Sequence, residues 1–125
     1  MNNIIREINP NLIRIFDEIK EKGNFSGVLF AYRDGELISQ NFGDQLSSKK
    51  FTSMCASVLE GATDLGKAIG DRKLNKIIAE AEEYTILIIE CDNKSFLAFV
   101  VNEDSKVEQI LSQIQKYIQE IKDLY

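Results

Sequence analysis

The sequence predicts an α+β sandwich: one five-stranded, mainly antiparallel sheet with helices on both faces, in the order α-ββ-α-βββ-α. Three observations carry this expectation. The segments Tyr84–Cys91 (YTILIIEC) and Phe96–Val101 (FLAFVV) are nearly continuous in apolar residues, as strands buried on both sides are. Strands buried on both sides need helices on both faces of their sheet. Short turn signals, Asp34-Gly35 and Asp92-Asn93, separate consecutive strand segments, and tight turns join antiparallel neighbours.

The first helix is expected to begin near Asn9-Pro10, because proline is tolerated where a helical N–H has no partner. Leu12, Ile13, Phe16 and Ile19 recur at helical spacing, and Lys20, Lys22 and Gly23 mark its end. Ile4, Ile5 and Ile8 extend the pattern backwards across a break at Pro10. A hairpin follows: a β-rich run from Phe25 to Tyr32, a two-residue Asp34-Gly35 turn of type I′, and a return from Glu36 to Phe42.

The long segment from Ser48 to Gly70 is read as one helix of about 33 Å. Phe51, Cys55, Val58, Ala62, Leu65 and Ile69 form its apolar stripe, in steps of four and three. Ser53, Ser57, Glu60, Asp64, Lys67 and Asp71 form the opposite, polar stripe. Much of the apolar side is small: Cys55, Ala56, Gly61, Ala62, Gly66 and Ala68. A glycine inside a helix costs roughly 1 kcal/mol against alanine, so Gly61 and Gly66 imply close approach of a sheet, a second helix, or both.

Leu74 to Ala81 reads as the next strand, although KIIAEAEE also suits a helix. The two buried strands come after it. The last helix is expected past Asp104-Ser105, with one of these as N-cap and Glu108 near the capping-box position. Its apolar stripe is Val107, Ile110, Leu111, Ile114, Ile118 and Ile121.

The totals exclude several function classes. The 125 residues fit a single domain spanning 1–125, with a 44% apolar content that marks a globular chain. Net charge is −5, against the basic surface that nucleic acid or an anionic membrane selects. There is no histidine, which removes every His-based triad, base and metal site. Cys55 and Cys91 lie in apolar segments and read as small hydrophobes. The N-terminus lacks the apolar core of a secretory signal, and no apolar run approaches the ~20 residues of a spanning helix. A cytoplasmic protein without membrane insertion is therefore expected.

Four local patterns invite sharper readings. Gly61-Ala-Thr-Asp-Leu-Gly66-Lys67-Ala68 matches part of a phosphate-binding loop, but Ala68 replaces the hydroxyl that would meet Mg²⁺, and the stretch lies in a helix rather than before one. Glu80, Glu82, Glu83, Glu90 and Asp92, with Asp34 and Asp44 in loops, do not follow the spacing of a calcium loop and read as solvated faces. Tyr117, Lys122, Tyr125, Phe25 and Phe42 read as core or rim residues. The segment Lys73 to Glu83, if it forms a sheet edge, offers unpaired backbone groups to another chain.

The element order and three stretches resemble the roadblock (dynein light-chain) family, of the small stand-alone prokaryotic type. These stretches are GVLFAYRDGELISQN (Gly27 to Asn41), the small-residue helix from Phe51 to Ile69, and YTILIIECDNKSFLAFVVNEDSKVEQI (Tyr84 to Ile110). The resemblance runs from about Pro10 to Ile121, a match of pattern and order without a short diagnostic motif. It departs at NKIIAEAEE, which is Ala/Glu-rich where the family favours Val.

The resemblance implies a roadblock/profilin-like fold and a homodimer, or a pair with a paralogous roadblock-like protein. The strand after the long helix would pair with its counterpart into one ten-stranded sheet, with the two long helices side by side. The implied interface comprises Phe51, Cys55, Val58, Ala62 and Leu65 on the helix, and Ile77 and Ala79 on the strand. The implied function is a non-enzymatic interaction module, without cofactor or metal, that binds and regulates or scaffolds a small Ras-like GTPase or a related NTPase or motor complex. The competing expectation is a small-molecule sensor of PAS or GAF type, with an apolar pocket between helix and sheet.

Overall fold

The last strand of the sequence is the middle strand of the sheet. In the computed structural model, which describes residues 10–42, 48–74 and 76–124, five strands lie in the order β2-β1-β5-β4-β3. They are β1 (Gly27–Tyr32), β2 (Leu37–Phe42), β3 (Lys76–Glu80), β4 (Thr85–Glu90) and β5 (Ser95–Val101), and every neighbouring pair is antiparallel. Six consecutive buried residues, Ser95 to Val100, suit β5 to the centre. Helix α1 (Pro10–Gly23) precedes the sheet, α2 (Ser48–Ala68) crosses between its two hairpins, and α3 (Val107–Leu111) and α4 (Ile114–Leu124) follow it. The expected backward extension through Ile4, Ile5 and Ile8 lies outside the described residues, as does Asp44.

The alternation of β1 and β5 builds two cores, one on each face. Val28, Phe30, Leu97 and Phe99, with Leu87 and Ile89 of β4, face α1, α3 and α4, where Phe16, Ile19, Tyr117 and Ile121 close over them. Leu29, Ala31, Ile88, Phe96 and Ala98 point the other way, onto Cys55, Ala56 and Leu59 of α2. On α1 the inward stripe is Leu12, Ile15, Phe16 and Ile19. Ile13, expected in that stripe, is instead exposed.

Three local expectations are corrected. The β1–β2 turn is not a two-residue type I′ turn. Gly35 has φ +96° but Asp34 is not left-handed, and the Gly35 N–H donates to the Tyr32 carbonyl (2.9 Å), while the register shift between Phe30 and Ala31 is a separate irregularity further along the ladder. This is the glycine-bulge turn, with the Asp34 carboxylate accepting the Glu36 N–H at 2.9 Å.

The final helix is two helices. The Ser112 hydroxyl donates to the Gln109 carbonyl (2.7 Å), a back-bond that bends a helix, and α4 starts afresh at Ile114.

Neither Asp104 nor Ser105 caps α3. Its N-cap is Lys106, without a side-chain bond. The Ser105 hydroxyl accepts the Asn102 N–H (2.9 Å) and donates to the Asn24 carbonyl (2.9 Å), while the Lys106 N–H donates to the Gly23 carbonyl (2.7 Å). These polar residues stitch the end of α1 to the start of α3.

The β4–β5 turn is held by one carboxylate. Asp92 accepts the N–H of Lys94 (2.8 Å), the N–H of Ser95 (2.9 Å) and the Ser95 hydroxyl (2.9 Å). Burial works to raise its pKa, and these three donors outweigh it, so the carboxyl sits below its ordinary value.

Candidate interaction surface

Helix α2 has two apolar faces, and among the described residues only one of them is packed against the sheet. Thr52, Cys55, Ala56, Leu59, Ala62 and Gly66 are buried on the sheet side. Gly66 is required there: a Cβ at this position would lie 2.1 Å from the Arg72 carbonyl oxygen, and that carbonyl belongs to the loop that turns back after the helix. The loop closes through the Arg72 N–H on the Gly66 carbonyl (2.8 Å), with Gly70 at φ +101° and Asp71 at φ +57°. The phosphate-loop reading of Gly61 to Ala68 fails for the reason anticipated, since the whole stretch is helix.

The second face points outward. Met54, Val58, Leu65 and, just past the helix, Ile69 are exposed, at 60%, 46%, 64% and 64%. Gly61 lies between Val58 and Leu65 in this stripe, and a Cβ there would touch nothing within 4 Å. Packing within the chain therefore explains Gly66 and leaves Gly61 unexplained.

The interface residues expected from the sequence are divided between these two faces. Cys55 and Ala62 are buried against the chain's own sheet, and burial pushes the Cys55 thiol up to about 11. Phe51 is half-buried, its ring centroid 5.3 Å from that of Phe42 at the edge of β2. Val58 and Leu65 are on the outward face. On β3, Ile77 is half-buried against the α2-side core, and Ala79 is exposed. Met54, Ile69 and Ile78 belong with the exposed set although the sequence reading did not place them at the interface. The signal for Met54 was the spacing Met54–Val58–Gly61–Leu65, a second helical stripe that shares Val58 and Leu65 with the first.

The two sheet edges differ. Beside β2, Lys20 of α1 donates to Asn41 (3.2 Å), Asn41 donates to Asp17 (2.6 Å), and Phe51 of α2 packs on Phe42. Strand β3 pairs with β4 on one side and is the last strand of the sheet on the other. Four of its five residues are exposed, Ile78 at 59%. Strand β3 thus leaves backbone groups at an open sheet edge, and α2 leaves an apolar stripe exposed.

A polar clamp holds the C-terminal half of α2 in this position. Arg33, from the β1–β2 turn, donates from Nη1 to Glu90 Oε2 (2.6 Å) and from Nη2 to the Thr63 hydroxyl (2.8 Å). Lys73 lies 3.5 Å from the other Glu90 oxygen. The shallow cleft beside the clamp has a volume of about 380 Å³ and is lined by charged residues, among them Lys67, Asp71 and Arg72. Among the described residues, no group of three or more acidic or cysteine side chains is placed to hold a metal ion, and no helix is long and apolar enough to cross a membrane.

No family model matches the chain, and no curated protein matches it. Solved structures do. MglB of Myxococcus xanthus superposes with a TM-score of 0.82 at 16% identity, over 91% of this chain and 94% of that one. A Roadblock/LC7 domain from Streptomyces avermitilis gives 0.81 at 10% identity, over 89% and 94%. Profilin IA of Acanthamoeba castellanii gives 0.61 at 16% identity, over 90% and 98%. The element order, the central β5, the helices on both faces and these superpositions together show that the chain has the fold of a roadblock domain.

Proposed function

We propose that this chain is a non-enzymatic, dimeric roadblock module that binds and regulates or scaffolds a small Ras-like GTPase. The observation that carries the reading is the exposed stripe Met54–Val58–Gly61–Leu65 beside the open β3 edge. Two copies would join their β3 strands into one ten-stranded sheet and lay their α2 helices side by side, and Gly61 would let the two backbones approach. In this arrangement Cys55 and Ala62 support the helix from beneath, while Val58 and Leu65 make the contact.

The non-enzymatic part rests on the chemistry at hand. The chain has no histidine, and burial holds its two thiols at about 11 and about 12, protonated and unreactive at neutral pH. A sensor of PAS or GAF type is less well supported. Among the described residues, the space between α2 and the sheet, where an apolar chamber would lie, is occupied by Cys55, Ala56 and Leu59 against Leu29, Ile88 and Phe96.

Light scattering of the purified chain at tens of micromolar tests the dimer. A dimer is expected, and Val58→Arg or Leu65→Arg should yield a folded monomer, because both side chains are already in solvent within one chain. A wild-type monomer overturns the reading. The GTPase part is tested by titrating a small Ras-like GTPase from the same cell, loaded with GDP or a GTP analogue. Binding that differs between the two nucleotides is expected, and no binding in either state overturns it.

A further inference from the structure

The cleft beside the Arg33–Glu90 clamp is a basic hollow in an acidic protein. Four of the chain's 15 basic residues line it, Arg33, Lys67, Arg72 and Lys73, against two of its 20 acidic ones, Asp71 and Glu90. The lining therefore carries a net charge of +2, and the rest of the chain carries −7. We propose that this cleft binds a small anion of the phosphate class, a phosphate or diphosphate group on a compact organic molecule. Neither the dimer nor the GTPase partner is needed for this binding.

The four cations divide into two pairs with different duties. Arg33 and Lys73 are spent on the protein itself. Arg33 holds Glu90 (2.6 Å) and Thr63 (2.8 Å), with Glu60 3.8 Å from the guanidinium, and Lys73 lies 3.5 Å from Glu90. Lys67 and Arg72 are exposed, and among the described residues the side chain of neither is in an ion pair or a hydrogen bond. Asn93, at the β4–β5 turn, adds a side-chain amide that is also unbonded among the described residues. Two free cations and a neutral N–H donor supply what an oxyanion needs, charge together with directed hydrogen bonds. Half-buried Leu74 offers an apolar wall to the organic part.

The free cations stand on a fixed backbone. Gly66 has no Cβ to block the Arg72 carbonyl, and the Arg72 N–H donates back to the Gly66 carbonyl (2.8 Å). Lys67 follows Thr63 by four residues on α2, so the two share a face, and Thr63 is anchored by Arg33. A helix C-terminus carries partial negative charge and by itself repels an anion. Here the loop turns its own N–H groups onto that end. Arg72 takes the Gly66 carbonyl, while Gly70 (3.4 Å) and Asp71 (3.2 Å) take the Lys67 carbonyl.

Size and charge select a small molecule over a protein. The cleft volume of about 380 Å³ lies at the low end of ligand sites, which span ~300–1,000 Å³. An acidic protein would lay its negative surface against the −7 carried outside the cleft, whereas a small anion meets only the basic lining. Asp71 limits the affinity. Its carboxylate lines the cleft without an ion-pair partner among the described residues, and it opposes any anion bound there.

NMR titration of the isotope-labelled chain with pyrophosphate and with phenyl phosphate, at low salt, tests the assignment. Saturable binding with a Kd of about 1 mM or tighter is expected, with amide shifts gathered at Lys67, Asp71 to Leu74 and Asn93. Lys67→Ala and Arg72→Ala should each weaken binding roughly three- to ten-fold. Both side chains are exposed, so both variants should melt at the wild-type temperature. Asp71→Asn should tighten binding roughly two- to five-fold. Lys116→Ala removes the same charge from α4, which packs on the other face of the sheet, and should change nothing. No saturation by about 20 mM, or a loss shared equally by Lys116→Ala, overturns the assignment. A pentaglutamate peptide that binds the cleft as tightly as pyrophosphate overturns the choice of a small molecule and points to an acidic protein segment instead.

Discussion

Arg33 and Glu90 meet at 2.6 Å, and this contact joins the first hairpin to the end of β4. The pair is mostly buried, with side-chain exposures of 20% and 11%. The second arm of the guanidinium reaches Thr63, whose hydroxyl also donates to the Leu59 carbonyl (2.9 Å), so one arginine ties two strands to α2. Arg33→Ala strips Glu90 of its nearer cation and leaves Lys73, at 3.5 Å, as its ion-pair partner among the described residues. A loss of about 2–3 kcal/mol is expected, as for a largely buried carboxylate left half-paired. Arg33→Lys should recover only part of it, because an ammonium cannot hold both the carboxylate and the hydroxyl in one plane. Urea melts of the three proteins check this.

The two helix glycines should respond in opposite directions. Gly66→Ala drives a Cβ into the Arg72 carbonyl and should cost about 1–3 kcal/mol. Gly61→Ala meets open space, so in a chain kept monomeric by Val58→Arg it should add about 0.5–1 kcal/mol by removing backbone freedom from the unfolded state. In the dimer, a larger residue such as Gly61→Leu should weaken association. Thermal melts and light scattering on the same samples separate the two effects.

Asp92 makes stability depend on acid. Its folded pKa is lowered, so its contribution is complete above the unfolded carboxyl value near 3.9 and disappears as pH falls through the lower folded value. Asp92→Ala should cost about 1–2 kcal/mol at pH 7 through the three lost acceptor bonds. The gap between wild type and variant should shrink on titration below about pH 4. A gap that stays constant down to pH 2 would refute the assignment.

The strongest signals in the sequence were the strands. YTILIIEC and FLAFVV announced a sheet covered on both sides because burial on both faces removes alternation, and that pattern is visible without a structure. The rotation of α2 was less legible. A stripe read through Phe51, Cys55, Val58, Ala62 and Leu65 merges two faces that differ by one helical position, since small residues satisfy both. Leu59 and Thr52, which are buried, and Met54, which is exposed, decide the matter only once the sheet is in place. The last helix shows the same limit. Ser105 reads as a cap from its neighbours, but Asn24, distant in sequence, claims its hydroxyl. Ser112 gave little warning, because its hydroxyl bond to the Gln109 carbonyl shows only in the structure.

The central position of β5 sets a schedule for synthesis. Strand β1 ends at Tyr32 and its inner neighbour β5 begins only at Ser95. At typical translation rates, the ribosome needs roughly 3–13 s to make the intervening chain. Throughout that interval the Val28–Ala31 run has no strand on one of its sides and no finished cover on the face that α3 and α4 will close. The nascent first half is thus an adhesive intermediate, and the sheet is complete only after β5 leaves the exit tunnel.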